Sequence, residues 1–589
     1  MKKVVITLCL ICCFGSASLL KASISPLTAE GPRIETQGRA SESGGIPRIL
    51  LASAFGSYRS IFAGSRILVP IIGKDGWVTS VNVQNVGNVP TSVVIDLYAA
   101  SNGRCPPQNE GIVKTECHGP LGPGISCTFS LKDEDGAQSA IVYAVVPGTE
   151  DVACGGDGSR QPGEPLAVTV QRTQTTPGVY EDYRSSSYTG ISDQMLGELD
   201  LATGTYQYYV PYVFEDAGGY GWDTAIWIQN AGGQCTSIEV WYQEAGDCEE
   251  WKMVQITSLA PGESVKAPPP PWAGIGSAWI QSSQPLGIIA DATDAARATM
   301  LSFRGVPANS YGVASLTNYA PLIYREINGW DSGIEVQNLS SITKALVRVQ
   351  FMDNNGGIIT TVEDQICPRG CQTFYLPAIN NLPGLNVGAA KIESLVWWDP
   401  ANPPAELPFI LSVVNLTNFD TGQFISYNAL PAQEAEGMTI VALPCLTKFK
   451  QEPYNPLGTT WTSAIAIQNL NPNPGQTSVR IDIYDQDKLF RSTYQYLRPL
   501  QVSYIDLSNI GDIPPDFSGS AIMSVEESNQ SGVPSIGVVL VDRAFGYPSG
   551  DLTGAYEGLP IIGVPSHEFK IYLPVVTKNR SNSGLSELK

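Results

Sequence analysis

Histidine and catalytic motifs are scarce in this chain of 589 residues, which argues against most enzyme classes. Its two histidines are His118 and His567, and neither stands in a catalytic pattern. A serine or cysteine nucleophile needs a base beside it. The sequence contains no Gly-x-Ser-x-Gly, His-Glu-x-x-His or phosphate-binding glycine-loop motif. We therefore expect no enzyme, and a secreted hydrolase with a carboxylate pair is the alternative that the abundant acidic residues leave open.

Basic charge and long apolar runs are scarce as well. Charged residues make up 15% of the chain, with 56 acidic against 35 basic residues and a formal net charge of −21. Such a surface repels phosphates, so we expect no nucleic-acid partner. No segment is apolar over the roughly 20 residues that a spanning helix needs, so we expect no transmembrane span. Zinc at Cys367 and Cys371 would need further ligands, and we expect no metal or cofactor.

The N-terminus has the pattern of a secretory signal peptide. Lys2 and Lys3 precede an apolar run over residues 4–14, and small residues follow at 15–18. This order matches the charged, hydrophobic and cleavage regions of a signal. We expect residues 1–22 to be removed and the protein to be secreted, extracellular or at the cell surface. An uncut anchor is the alternative, but the run is too short to span a bilayer.

A ten-residue phrase occurs four times and defines the architecture. It occupies residues 76–85, 221–230, 329–338 and 460–469, and each copy ends in Gln-Asn. Each copy carries one tryptophan: Trp77, Trp222, Trp330 and Trp461. β-branched residues alternate with polar ones after the tryptophan, which predicts a strand with one buried face. A second alternating strand follows a short turn, so we expect a hairpin, with the tryptophan packed at one end of a core.

Two further landmarks recur with the phrase. A glycine beside small residues follows at a nearly constant distance, at Gly136, Gly276, Gly388 and Gly519. Small residues there predict close approach of neighbouring backbone. A proline-containing strand also recurs, at residues 67–70, 208–211, 318–321, 441–444 and 571–574. Proline cannot donate a ladder hydrogen bond, so we expect these strands at sheet edges or strand ends.

The strand count predicts an all-β protein, a tandem array of four antiparallel β-sandwich modules of immunoglobulin-like or jelly-roll-like shape. The predicted ranges are 1–22 for the signal peptide, 23–65 for a lead and linker, 66–207 for module 1, 208–316 for module 2, 317–439 for module 3, 440–578 for module 4 and 579–589 for a polar tail. Module 1 has a surplus at about residues 148–205, including the polar run 184–188. Loops on β scaffolds carry function, so this insertion is a candidate contact surface, with a tolerated surface excursion as the alternative.

The sequence contains five proline strands but only four tryptophan phrases, so one proline strand has no tryptophan phrase of its own. The last one contains Ile571, Tyr572, Leu573 and Pro574. An unpaired strand can join the sheet edge of another molecule, which predicts possible self-association. Folding back onto module 4 is the alternative.

Disulfides are the default for cysteines in an exported protein. The chain has 12 cysteines, three of them in the signal. We expect Cys235 to pair with Cys248 across a hairpin, and Cys367 to pair with Cys371. The four cysteines of module 1, at 105, 117, 127 and 154, allow three pairings that the sequence does not rank. Cys445 remains as a buried thiol, or as an intermolecular bridge.

The order of proline strand, Gly-Trp phrase and Val/Ile-Gln-Asn ending resembles tandem-repeat proteins exported by some filamentous environmental bacteria. The likeness covers about residues 66–578. It implies an extracellular β-sandwich array and supplies no catalytic residue. Thr460 replaces the glycine of the other copies, and Val78 stands where two copies have aspartate. This position is therefore a structural turn rather than an invariant carboxylate.

These observations predict a secreted or cell-surface structural and adhesive protein, whose partner is a surface protein or a polysaccharide. The first alternative is a carbohydrate-binding protein that uses Trp241, Trp272 or the Trp397-Trp398 pair. Acidic turns such as residues 353–356 contain calcium-type ligands, but hairpin turns use the same residues.

Overall fold

The structure is a computed structural model that describes residues 63–560 apart from short gaps. The gaps are residues 74–75, 102, 104, 106–110, 133–135, 175–183, 218–220, 247, 249–251, 295–298, 309–314, 396–405, 433–437, 452–459, 486–487 and 546–552. The signal peptide, the last proline strand, the C-terminal tail and the Trp397-Trp398 pair lie outside the described residues.

The fold is all-β, as predicted, and consists of four sandwich modules that repeat one order of strands. Module 1 contains β1 (Arg66–Val69), β2 (Trp77–Asn85), β3 (Thr91–Ala99), β4 (Ile112–Leu121), β5 (Ser126–Lys132), β6 (Ala137–Val145), β7 (Leu166–Gln174), β8 (Arg184–Thr189) and β9 (Ile191–Ser192). Module 2 contains β10 (Tyr206–Glu215), β11 (Trp222–Asn230), β12 (Thr236–Glu244), β13 (Lys252–Leu259), β14 (Ser264–Lys266), β15 (Gly274–Ser282), β16 (Leu286–Asp294), β17 (Thr299–Arg304) and β18 (Val306–Pro307).

Modules 3 and 4 follow the same order. Module 3 contains β19 (Thr317–Arg325), β20 (Trp330–Asn338), β21 (Ala345–Asp353), β22 (Ile358–Ile366), β23 (Cys371–Tyr375), β24 (Leu385–Leu395), β25 (Ile410–Asn418), β26 (Gln423–Asn428) and β27 (Leu430–Pro431). Module 4 contains β28 (Ile440–Lys448), β29 (Lys450–Gln451), β30 (Thr460–Asn469), β31 (Thr477–Tyr484), β32 (Leu489–Leu497), β33 (Val502–Asp506), β34 (Phe517–Ser528), β35 (Ile536–Phe545), β36 (Thr553–Glu557) and β37 (Leu559–Pro560). Short 3₁₀ turns lie at Val152–Cys154, Asp193–Met195, Leu376–Ala378 and Leu507–Asn509.

Modules 1 to 3 each have a five-stranded and a four-stranded antiparallel sheet, and in module 4 the extra strand β29 makes the second sheet five-stranded as well. In module 1 the orders are β4-β3-β6-β1-β9 and β5-β2-β7-β8. Modules 2 and 3 repeat these orders strand for strand. Module 4 does so in its five-stranded sheet, and its second sheet runs β29-β30-β35-β36 with β33 also paired to β30. Counted without the extra strand β29 of module 4, the tryptophan phrase always forms the second strand of its module, and it pairs with the seventh strand along its whole length.

The predicted hairpin between the tryptophan strand and its successor is wrong. Strands β2 and β3 belong to different sheets, so the turn between them crosses the sandwich. The last residue of the phrase holds this crossing: Asn85 accepts a hydrogen bond from the Gly87 amide at 2.9 Å, and its amide donates to the carbonyl of Leu121 at 2.8 Å. Asn230, Asn338 and Asn469 make the corresponding bonds in their modules. A short polar turn fits a hairpin and a sandwich crossing equally well, and the asparagine selects the crossing.

The proline strand lies inside its sheet, which corrects the edge position predicted for it. The proline avoids a ladder bond because it sits at a bulge, where the register shifts between Val210 and Val213, and between Leu443 and Leu446. The carbonyl that follows the proline accepts a tyrosine hydroxyl from the eighth strand. This bond joins Tyr188 to Ile71, Tyr427 to Leu322 and Tyr556 to Cys445, each at 2.6 Å.

Module 2 varies this bulge. Phe303 replaces the tyrosine, and Tyr212 follows the proline and stacks on Phe303 with ring centroids 4.3 Å apart. The Tyr212 hydroxyl donates instead to Asn415 of module 3, at 2.9 Å.

The glycine landmark marks a close strand approach, although Gly136 is not its true first member. A Cβ on Gly276, Gly388 or Gly519 would lie 2.1, 2.7 or 2.0 Å from a carbonyl oxygen of the neighbouring strand. The pairing of Ala140, Ala278, Ala390 and Ala521 with the proline strands places Gln138 at the position of those glycines. A register shift at Tyr98 and Ala99 accompanies this substitution in module 1. Gly136 occupies a turn with a φ of 65°.

The modules form a closed ring, because the five-stranded sheet of each module packs on the four-stranded sheet of the next. Pro70 lies against Gly287 of module 2, and Pro321 lies against Gly537 of module 4. Val413 and Phe424 of module 3 join the core of module 2. Ala442 and Leu559 of module 4 join the core of module 1. The last module is thus packed on the first one.

Candidate functional site

The centre of the ring is a junction of four short strands, one from each module. Strands β8, β17, β26 and β36 surround it, and small residues of β8 and β36 meet both large and small residues of β17 and β26 there. A Cβ on Gly554 would lie 2.2 Å from the Ser187 hydroxyl oxygen. The polar run at residues 184–188, which we assigned to an insertion, is therefore a regular strand of the repeat.

A buried ion pair joins modules 1 and 2 beside this axis. Arg172 donates to both carboxylate oxygens of Asp291, at 2.9 and 2.6 Å. The same guanidinium donates to the hydroxyls of Ser186 and Ser302. Because both charges are almost fully removed from solvent, the loss of either one would leave the other unpaired in the core.

A second buried pair crosses the ring from module 2 to module 4. Arg304 donates to Glu557, and both side chains are 3% exposed. Thr189 of module 1 donates to the same carboxylate at 2.7 Å. Asn428 of module 3 exchanges two hydrogen bonds with the Arg304 backbone, at 3.0 and 3.1 Å. One polar cluster therefore contains residues of all four modules.

The glutamine of the repeated phrase bonds the interface between neighbouring modules, which we call a seam. In module 2, Gln229 donates to the carbonyl of Gly262 in its own module and to that of Ala140 in module 1. Gln337 spans the next seam in the same way, to Arg369 and Ala278. Gln84 spans the closing seam between modules 1 and 4, to Gly124 and Ala521.

Disulfides also cross seams, and their pairing differs from the one we expected. Cys105 of module 1 pairs with Cys235 of module 2, and Cys248 pairs with Cys367 of module 3. Cys117 pairs with Cys154 inside module 1. The expected pairs, Cys235 with Cys248 and Cys367 with Cys371, are wrong because the loops that hold these cysteines meet the adjacent module. Cys127, Cys371 and Cys445 are buried thiols, as we expected for Cys445.

Two buried carboxyl groups have raised pKa values. Burial raises the pKa of Glu335 to about 7, and the hydrogen bonds from Thr373 and Asn415 lower it by less than burial raises it. Burial likewise raises the pKa of Asp542 to about 7, against the hydrogen bond from Ser463. Both carboxyl groups are buried, so their raised pKa values make the stability of the fold depend on pH.

The repeated tryptophans are the first or second residue of their strands, and Trp222 and Trp330 pack against neighbouring aromatics. Trp461 is buried, whereas Trp77, Trp222 and Trp330 are half-buried. Trp222 contacts Phe214 and Phe424 with centroids 5.9 and 5.3 Å apart.

The tryptophans considered as sugar platforms are also engaged with the protein. Trp241 packs against Trp279, and Trp272 against Tyr242. Both are half-buried.

The true insertion of module 1 is the loop at residues 146–165, which covers the outer part of its five-stranded sheet. Arg160 donates to both carboxylate oxygens of Asp96, at 2.6 and 2.9 Å, and lies over the ring of Tyr143. Arg160 also pairs with Asp151. The disulfide from Cys154 to β4 holds the loop on that face.

The corresponding face of module 4 carries two exposed tyrosines. Tyr494 and Tyr496 of β32 are 46% and 67% exposed and project from the same side of the strand. Arg480 lies opposite Tyr494 on β31 and pairs with Asp482 and Glu526. We call these five residues the aromatic rim. Its sequence signal is Tyr-x-Tyr in an alternating strand.

The described part of the chain holds no cluster of three metal-ligating side chains and no helix long and apolar enough to cross a bilayer. In the acidic turn after β21, the Asp353 carboxylate accepts hydrogen bonds from the backbone amides of Asn355 and Gly357, both at 2.9 Å. This carboxylate therefore stabilises the turn itself.

No protein-family model matches the chain, and no curated protein matches it. Among solved structures, one match is an anti-sigma factor domain-containing protein, with 6% identity over 56% of this chain and 97% of that one, and a TM-score of 0.10. Another is a tetra-tandem repeat from the extending region of a large adhesion protein, with 12% identity over 84% of this chain and 99% of that one, and a TM-score of 0.09. Similarities of this size carry no argument about shape or function.

Proposed function

We propose that this chain is an exported, non-catalytic structural and adhesive protein of the cell surface or extracellular space. The observation that supports it best is the pair of seam disulfides, Cys105–Cys235 and Cys248–Cys367. Disulfides persist in oxidising compartments and are rare in the cytosol. They join three modules into one covalent body, which suits a protein that bears load or presents surfaces outside the cell.

The polar residues of the repeat also support this proposal. The glutamines and asparagines of the phrase, the buried ion pairs and the hydroxyls at the axis all bond to neighbouring modules or turns. Their role is to hold the ring together, which leaves no catalytic role for them.

Expression of the full chain with its N-terminus, in a host that secretes proteins, tests the proposal. We expect the mature protein outside the cells, beginning near Ser23, with Cys105–Cys235 and Cys248–Cys367 found by peptide mapping under non-reducing conditions. An unprocessed, fully reduced protein that stays in the cytoplasm would contradict it. Adhesion is read separately, as retention of protein-coated beads on surfaces bearing cell-wall polysaccharide or surface protein.

Carbohydrate binding is the second candidate function, and the aromatic rim favours it. Neighbouring exposed tyrosine rings give amphipathic stacking surfaces, and Arg480, Asp482 and Glu526 supply donors and acceptors beside them. A panel of neutral glycans should retain the native protein and lose the double variant Tyr494→Ala with Tyr496→Ala. The matched control is Ile358→Ala, on the corresponding outer strand of module 3, where Ile358 is 54% exposed. Equal glycan retention by all three proteins would exclude the rim.

Self-association through Ile571, Tyr572, Leu573 and Pro574 stays a prediction.

A further inference from the structure

Module 4 is held in the ring differently from the other modules. Two disulfides tie module 1 to module 2 and module 2 to module 3. Within the described residues, no disulfide reaches module 4, whose cysteine Cys445 is a buried thiol. Modules 1 to 3 therefore form one covalently closed body, and module 4 is joined to it by the main chain and by noncovalent contacts.

Module 4 contacts the other three modules. Toward module 1, Ser520 donates to the carbonyl of Gly124 at 2.8 Å, and the Thr553 carbonyl accepts from Ser185 at 2.8 Å. Toward module 3, the Val502 amide donates to the carbonyl of Asn354 at 3.0 Å. Toward module 2, Glu557 pairs with Arg304 inside the axial cluster.

The closing seam uses the same contacts as the seams within the disulfide-linked body. Ser139 and Ser277 donate to Gly262 and Arg369 of the next module at 2.9 and 3.0 Å, as Ser520 donates to Gly124. Gln84 crosses the closing seam as Gln229 crosses the first one. The surface that module 1 offers to module 4 is thus a general seam surface, and it would accept module 4 from any copy of the chain.

We infer that module 4 is an exchangeable domain: two copies of this chain swap their fourth modules and form a dimer of two complete rings. Domain swapping of this kind restores every contact in the partner molecule. Within one chain, the attachment gives module 4 a high effective concentration near its own seams, so the monomer prevails in dilute solution. The swapped dimer accumulates at high protein concentration, as on a crowded cell surface.

Exchange of module 4 predicts that a weakened seam contact changes the rate of dimer formation but not the monomer–dimer equilibrium. Monomer and dimer contain the same seams, so weakening a seam contact leaves their ratio almost unchanged. A weakened seam contact does speed the exchange, because module 4 must separate from modules 1 and 3 of its own ring before it can enter the other ring. Removing one partner of the buried Arg304–Glu557 pair lowers the barrier to that departure, because the remaining charge is unpaired and buried in the seated state but hydrated in the open one.

The test follows the full-length protein by size-exclusion chromatography with light scattering after concentration to the millimolar range. We expect a dimer whose final fraction is the same for the native chain and for Glu557→Gln, reached about tenfold sooner or more in the variant. The matched control Glu363→Gln removes the same charge from an exposed ion pair of module 3 and should keep the native rate. Ser520→Ala is a milder seam variant, and Ala389 already stands at the corresponding position of module 3, so the fold accepts it.

Cross-linking of a mixture of isotope-labelled and unlabelled chains identifies the contact in the dimer. Exchange predicts links between module 4 of one chain and modules 1 and 3 of the other. Links only between two fourth modules, or only through residues 571–574, would overturn the inference in favour of edge pairing. A dimer that forms at one rate in all variants, or a chain that stays monomeric in folded Glu557→Gln, would overturn it as well.

Discussion

Replacing Glu335 with glutamine should change how stability depends on pH. The carboxyl group is buried at the seam between modules 2 and 3, where Asn415 links it to Tyr212 of module 2. Burial raises its pKa from 4.5 to about 7. The folded protein therefore holds the Glu335 proton more tightly than the unfolded chain does. Stability must fall as the pH rises through the range between these two values, and this contribution becomes constant above the folded pKa.

The size of the effect follows from the pKa difference. Each pKa unit corresponds to about 1.4 kcal/mol, so a shift from 4.5 to about 7 corresponds to about 3 kcal/mol between acidic and alkaline conditions. Glutamine is uncharged at every pH and, like the protonated carboxyl group, keeps one oxygen that accepts a hydrogen bond, while its NH2 group takes the place of the protonated oxygen. Glu335→Gln should therefore match the native protein within about 1 kcal/mol at pH 4.5 and exceed its stability by about 3 kcal/mol at pH 8.

Urea unfolding followed by tryptophan fluorescence, at half-unit intervals from pH 4.5 to 8.5, measures this difference. The pH dependence of Asp542 is common to both proteins and cancels in the comparison. Glu363→Gln, at an exposed glutamate, should run parallel to the native protein throughout. A constant difference between Glu335→Gln and the native protein at all pH values would refute the reasoning.

Three further changes test the packing of the ring. Gly554→Ala would place a Cβ 2.2 Å from the Ser187 oxygen and should lower the free energy of unfolding in urea by about 1–3 kcal/mol. The control Gly119→Ala, which has open space around it, should leave this free energy unchanged. Equal losses in the two variants would contradict the packing at the axis. Tyr427→Phe leaves the buried Leu322 carbonyl without its hydroxyl donor and should cost about 1–3 kcal/mol, with no loss counting against the proposed bulge contact. Replacing Cys105 and Cys235 together by serine opens a cross-link spanning 130 residues and should lower stability by up to about 5 kcal/mol, and an unchanged melting temperature would speak against that pairing.

The sequence pattern was sufficient to predict the module and its strands. The period-two alternation after each tryptophan corresponds to β2, β11, β20 and β30, which run from the tryptophan or the residue before it to the asparagine. Burial on a pleated strand imposes that period locally, so it can be read from one segment. The crossing between sheets could not be read in this way, because it depends on where the Asn85 side chain finds a carbonyl across the sandwich.

The seams could not be predicted from one sequence, because they depend on how the modules meet. Cys235 and Cys248 are close in sequence and flank one strand pair, which suggested a local bridge. They pair with Cys105 and Cys367 because successive modules present their loops to each other. Ring closure likewise rests on Gln84 reaching Ala521, a contact between residues at opposite ends of the described chain. The aromatic rim was missed because Tyr494 and Tyr496 do not recur in the other modules.

Electron microscopy of the purified mature protein would show whether the four modules close into a ring. The account predicts particles with four lobes around a filled centre when viewed along the axis, in monomers and in each half of any dimer. An extended rod of four beads in a row would contradict the closing seam and, with it, the proposed exchange of module 4.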